Sequence, residues 1–81
     1  MSYWNKAIAL AEIPDIVDDP GAGTVYVGFA APGTTDTSEA KFKIKKVVTS
    51  GNITTTTWAD GDQKFNNVWN NRAVLTYSYL K

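Results

Sequence analysis

Between Thr24 and Lys81 the apolar residues mostly fall on every second position, and before Thr24 they do not. In "TVYVGFA" (24–30), Val25, Val27 and Phe29 alternate with Tyr26 and Gly28. That period of two marks a strand with one apolar face. In "KFKIKKVVT" (41–49), Phe42, Ile44 and Val48 share one side, while Lys41, Lys43 and Lys45 share the other. The lysine side is therefore expected to be wet. "TSGN" reads as a hairpin turn of about two residues. "ITTTTWA" (53–59) follows as a β-branched strand ending on Trp58, since threonine is a good strand former on either face. "ADGD" supplies the next turn.

The period changes in "KFNNVWNNR", where Phe65, Val68 and Trp69 stand at i, i+3 and i+4, enough for one helical turn. Asparagine is a poor helix former, so the turn should be short and supported by packing. "AVLTYSYL" (73–80) closes the chain as a strand, with Ala73, Leu75, Tyr77 and Tyr79 opposite Val74, Thr76, Ser78 and Leu80. Both faces are semi-apolar, which suits a central strand or one that meets a partner. Residues 1–20 form a separate segment. Trp4, Ile8 and Ala11 in "YWNKAIALAEIP" have helical spacing, and Pro14 ends that run. "IVDDPGAG" then makes a turn-rich hinge. The segment either packs on the edge of its own domain or reaches onto a neighbour. The expected architecture is all-β. Residues 21–81 form a small antiparallel sheet of about four strands, curled into a half-open barrel or sandwich, with one short helical turn before the last strand.

Size makes that architecture thin. A chain of 81 residues buries only about 60–65% of its unfolded surface. Small domains commonly add disulfides, a metal or partner subunits. This one has no Cys and no His, which removes disulfides and the two strongest soft-metal ligands. Association with other chains is the support that remains. No apolar run approaches the roughly 20 residues that span a bilayer, so no membrane partner is expected. The N-terminus lacks the pattern of a signal peptide, so synthesis in a reducing cytoplasm is expected. Net charge is zero but divided. Residues 1–40 carry one Lys against six carboxylates, net −5, and residues 41–81 carry seven cations against two carboxylates, net +5. The two halves could neutralise each other within one fold, or between neighbouring copies where complementary potentials set register.

Candidate chemistry is sparse. The usual proton shuttle and thiol nucleophile are both missing, so an enzyme is not expected. Asp60 and Asp62 flank Gly61, but a calcium loop needs ligands spread over twelve residues and a closing Glu, and position 71 is Asn. This Asp-Gly-Asp, like Asp18-Asp19 before Pro20-Gly21, reads as a turn. Gly21-Ala22-Gly23 and Pro32-Gly33 lack phosphate-loop spacing. Asn52-Ile53-Thr54 matches a glycosylation acceptor only by chance in a Thr-rich strand. No cofactor or metal is expected. Lys41, Lys43 and Lys45, with Lys46 beside them, form the best basic patch, and aromatics near such a patch could stack bases. Zero net charge argues against nucleic acid as the partner, and lysines on a strand also discourage edge pairing. Trp58, Trp69, Tyr77, Tyr79 and Tyr26 are many rings for a thin core. Some should remain for contact, because Trp and Tyr concentrate at interface hot spots.

The series "TVYVGFAAPG…TSEAKFKIKKV…WADGDQKFNNVWNNRAVLTYS", residues 24–78, resembles a group of small tailed-bacteriophage structural proteins. Members of that group carry a Tyr-Val/Ile-Gly strand, a Pro-Gly loop with Thr-Ser and an aromatic-x-Ile-x-Lys strand. A Trp-Ala-Asp-Gly turn, a Phe-x-x-Val/Ile-Trp-x-x-Arg-Ala segment and a Leu-x-Tyr-Ser strand follow. The most specific piece here is "WADG…F..VW..RA". Phe42 stands where Trp is usual, and Asn70-Asn71 where Asp-Asn or Asp-Asp is commoner. The resemblance implies a virion protein made in the host bacterial cytoplasm, and it brings no catalytic residues. Its position in the particle stays open between head decoration, neck or tail attachment, and fibre or adhesin module. The expected partners are other copies and other virion proteins, with a host-surface glycan as the alternative. The expected interface residues are Trp4, Ile8, Ile13, Trp58, Trp69, Tyr77 and Tyr79, together with Lys41, Lys43 and Lys45.

Overall fold

The computed structural model describes residues 13–81. Trp4 and Ile8, two of the expected interface residues, lie outside the described residues. The elements in chain order are β1 (Ile16–Asp18), β2 (Thr24–Ala30), β3 (Ala40–Ser50), β4 (Ile53–Ala59), β5 (Asn67–Val68), a 3-10 turn η1 (Trp69–Asn71) and β6 (Tyr77–Ser78). All pairings are antiparallel, and the sheet runs β1-β2-β3-β4-β6. β3 is the spine. One edge takes β2 from Phe42 to Val48, and the other takes β4 from Lys45 to Ser50 and β5 at Ala40 and Phe42. The protein is all-β, and its sheet does not close into a barrel.

β2 and β4 have the limits that their alternating and β-branched sequences predict, and β3 runs one residue further at each end. The last third departs from its periodicity. Phe65, Val68 and Trp69 do not form a helical stripe, because Asn67 and Val68 are extended and pair with β3. Only Trp69–Asn71 turn, as one 3-10 turn, and Phe65 is exposed. The final strand shortens to Tyr77–Ser78, because the chain turns through residues 72–75. There the Val74 N–H donates to the Asn71 carbonyl at 2.9 Å. At the other end, Ile16–Asp18 lie within the 1–20 stretch and pair with Tyr26–Gly28. That part of the segment is an edge strand of the same sheet.

Both faces of the sheet are apolar. Cross-strand partners share a face, so Val25, Val27, Phe29, Val47 and Trp58 stand on one side with Lys43 and Lys45. Phe42, Ile44 and Ala59 stand on the other, packed with Trp69, Ile16, Tyr26, Ala30, Leu75 and Tyr77. Gly28 makes the second face possible. Its missing side chain leaves room for the Trp69 ring, which brings η1 down onto β2. Among the described residues, nine buried apolar side chains thus divide into two thin layers. Among the described residues, no buried side-chain polar atom lacks a hydrogen-bond partner.

Candidate functional site

Among the described residues, the expected interface residues do not form one surface. Trp58 and Trp69 are 7% and 3% exposed. Both indoles serve the core, Trp58 on the lysine-bearing face and Trp69 over Gly28. They are not outward contact rings, because a sheet with two apolar faces needs a large ring on each. Tyr77 is half-buried. Its ring lies 6.1 Å from that of Tyr26, and its hydroxyl donates to the Arg72 carbonyl at 2.8 Å. Burial raises the Tyr77 phenol pKa above its ordinary value, the Tyr26 phenol adds to the shift, and Arg72 opposes it. Tyr77 therefore stays protonated and serves as a donor. Ile13 and Tyr79 are exposed, at 78% and 69%.

The lysine side of β3 is not simply wet. Lys43 Nζ lies 4.8 Å from the Phe29 ring centroid, 5.3 Å from that of Phe65 and 5.8 Å from that of Trp58. Lys45 Nζ lies 5.4 Å from Trp58 and 5.7 Å from Phe29. Both side chains are half-buried. Their methylene stems cover apolar rings while the ammonium groups sit over aromatic faces. The alternation of β3 sets these lysines opposite Val27, Phe29 and Trp58, so the apparent solvent face is a cation–aromatic layer. Lys41 is exposed and pairs with Glu39 at 3.4 Å.

Arg72 and Asp18 carry a structural role that no sequence signal marked. Arg72 Nε donates to Asp18 Oδ2 at 2.8 Å, its Nη1 donates to the Trp69 carbonyl at 3.2 Å, and its guanidinium stacks 4.7 Å from the Trp69 ring centroid. Asp18 is thus a strand residue that clamps β1 to η1, across 54 positions of sequence. Only Asp19 of that pair makes the local turn bond, accepting from the Gly21 N–H at 3.2 Å. Two ion pairs among the described residues, Arg72–Asp18 and Lys41–Glu39, join the acidic half of the chain to the basic half. Here the two halves meet inside one fold.

A shallow cavity of about 190 Å³ opens between β1 and the 34–37 loop, lined by Asp15, Ile16, Ala30, Thr34–Thr37 and Phe42. The carboxylates that line it, Asp15 and Asp36, and the neighbouring Glu39 are committed to the fold. Asp15 Oδ2 accepts from the Ala30 N–H at 2.8 Å and so prolongs the β1–β2 ladder. Asp36 Oδ1 accepts from the Ser38 N–H and hydroxyl, both at 2.8 Å, and Glu39 Oε2 accepts from the Thr35 N–H at 3.0 Å and hydroxyl at 2.9 Å. Those bonds hold both carboxyl groups below their ordinary pKa, the backbone N–H in each case having the largest effect. Among the described residues, no three Asp, Glu, His or Cys side chains converge on a point where a metal would sit. The Asp60–Gly61 turn is a tight corner. Both residues have positive φ, and the Asp62 carboxylate accepts from the Lys64 N–H at 3.0 Å.

No family model, curated protein or solved structure matches this chain. The site must therefore be judged on its own geometry. Its polar groups are spent on loops and clamps, while among the described residues seven large apolar ones stand exposed: Ile13, Val17, Ile53, Phe65, Val74, Tyr79 and Leu80.

Proposed function

We propose that this chain is a non-enzymatic structural protein of a tailed-phage particle, an accessory that assembles on the head or tail surface through protein–protein contacts. The observation that supports this most is the balance of apolar groups. Among the described residues, seven large ones face solvent against nine apolar residues in the core. A domain with so thin a core gains from neighbours that cover part of its surface. The sequence likeness to small phage structural proteins supplies the particle as the setting. The alternative, a receptor- or carbohydrate-binding module, would have to rely on Phe65 and Tyr79, since Trp58 and Trp69 are turned inward.

The test is the composition of the particle. Gradient-banded virions carrying this gene should contain its peptides in fixed stoichiometry with the major head or tail protein, and density for the chain should map to the outer surface. Particles of full infectivity that lack the chain, with all of it left in the lysate, would overturn the reading.

A further inference from the structure

The two edges of the sheet are guarded very differently. β1 is three residues long, lies between Pro14 and Pro20, and is flanked by Asp15 and Asp19. Short strands, prolines and charges are the devices that keep a sheet edge from pairing with another chain. β4 has none of them. It gives one side to β3, and on the other side β6 pairs only with Trp58 and Ala59. Among the described residues, nothing pairs with the outer side of Ile53–Thr57.

The chain's own C-terminal residues avoid that edge. Continuing β6 past Ser78 in the same register would bring Tyr79 opposite Thr57 and Leu80 opposite Thr56. The chain instead folds back over the Asp60–Gly61 turn, where the Lys81 N–H donates to the Gly61 carbonyl at 3.1 Å. The edge left open, "ITTTT", is five β-branched residues without charge, Pro or Gly, and Ile53 is 68% exposed.

We propose that this edge is a dimerisation surface, where a second copy of the chain adds its own Ile53–Thr57 in antiparallel register about a two-fold axis. The proposal rests on the reading that the chain works through protein–protein contacts, and it names one such partner and its contact. Self-pairing fits the edge. Five residues meet five, with Thr55 on the axis, Thr54 opposite the partner's Thr56 and Ile53 opposite the partner's Thr57. Uncharged threonines directly opposed suit a ladder, whereas like charges there would oppose it. β1 of another copy fits poorly, since it is shorter and acid-flanked, and a β4-to-β1 contact would propagate without closing. Two-fold pairing closes after two chains and makes one continuous sheet.

The test measures the oligomeric state of the full chain by sedimentation equilibrium. Wild type should be a dimer. Thr54→Lys/Thr56→Lys should place lysine opposite lysine and weaken the dimer about tenfold or more, and Thr54→Glu/Thr56→Glu should do the same. Both positions are exposed, and circular dichroism checks that each variant keeps its sheet. An equimolar mixture of the two variants should recover a heterodimer at close to wild-type affinity. Should a variant unfold, amide exchange of the wild type decides: those of the 53–57 amides that point away from β3 should gain protection as concentration rises. A wild type that stays monomeric throughout, a dimer indifferent to both charge variants, or exchange independent of concentration would overturn edge pairing. Particle incorporation is a separate measurement. A chain found in virions with an unaffected dimer sinks this inference alone, and a charge-sensitive dimer absent from virions sinks only the particle reading.

Discussion

Trp69 sits so close on β2 that residue 28 has no room for a side chain. A methyl group at Gly28 would come within 2.6 Å of Cε3 and Cζ3 of Trp69 and within 2.7 Å of Cγ2 of Ile16. Neither neighbour can yield easily. Trp69 also lies against Phe42 at 6.2 Å between ring centroids and beneath the Arg72 guanidinium, and Ile16 is held in register with Gly28. Gly28→Ala is therefore expected to cost about 1–3 kcal/mol through overpacking. In a domain of this size each kcal/mol lowers Tm by roughly 4–8 °C. Thermal melts followed by circular dichroism check it, and a variant melting with wild type would mean that Trp69 does not rest on β2. The Arg72–Asp18 pair belongs to the same corner. Both side chains are partly exposed, and an ion pair of that kind alone is worth about 0–1 kcal/mol. The stack on Trp69 and the bond to its carbonyl give Arg72 a positioning role beyond its charge.

At the scale of elements, the 31–39 connection is ordered by carboxylates rather than by a core. Asp36 is exposed and Glu39 half-buried, and each closes a small loop by accepting from a backbone N–H and a hydroxyl of Ser38 or Thr35. Both pKa values are depressed in the folded state. The order these groups confer is therefore complete above the ordinary carboxylate range and is lost as pH falls through the lowered values. Amide resonances of Thr35 and Ser38 should shift with midpoints below the usual Glu and Asp values, while β2 and β3 amides stay in place. Midpoints at or above ordinary values would show that these loop bonds do not form. The loop's Pro-Gly and Thr-Ser composition predicts a connection but not these partners, which depend on side-chain placement. The same division holds elsewhere. β2, β3 and β4 were legible because alternation and β-branching act within a few residues. β5 was not, because two asparagines and a valine carry no period, and only the free edge of β3 makes Asn67 and Val68 extended. The lysine row was legible as a face but not as an aromatic-covering one, since Phe29, Trp58 and Phe65 approach it from three separate stretches of chain.

At the scale of the whole molecule, one open sheet with two thin apolar layers has little stability in reserve. If the β4 edge pairs two copies, part of that stability comes from association and must follow mass action. Each tenfold rise in concentration then favours the native dimer by about half of 1.4 kcal/mol per chain. With the size scaling used for Gly28, Tm should climb by roughly 3–6 °C per tenfold. Thr54→Lys/Thr56→Lys should flatten that slope, because a monomer unfolds at a Tm that does not depend on concentration. Differential scanning calorimetry over two decades of concentration separates the cases. A flat wild-type Tm would mean that the described sheet is sufficient by itself, with its two buried indoles and the Arg72–Asp18 clamp, and that the threonine edge is merely exposed. A sloping wild type with an equally sloping charge variant would place the association on another face, where Tyr79, Leu80 and Val74 are the exposed apolar groups to mutate next.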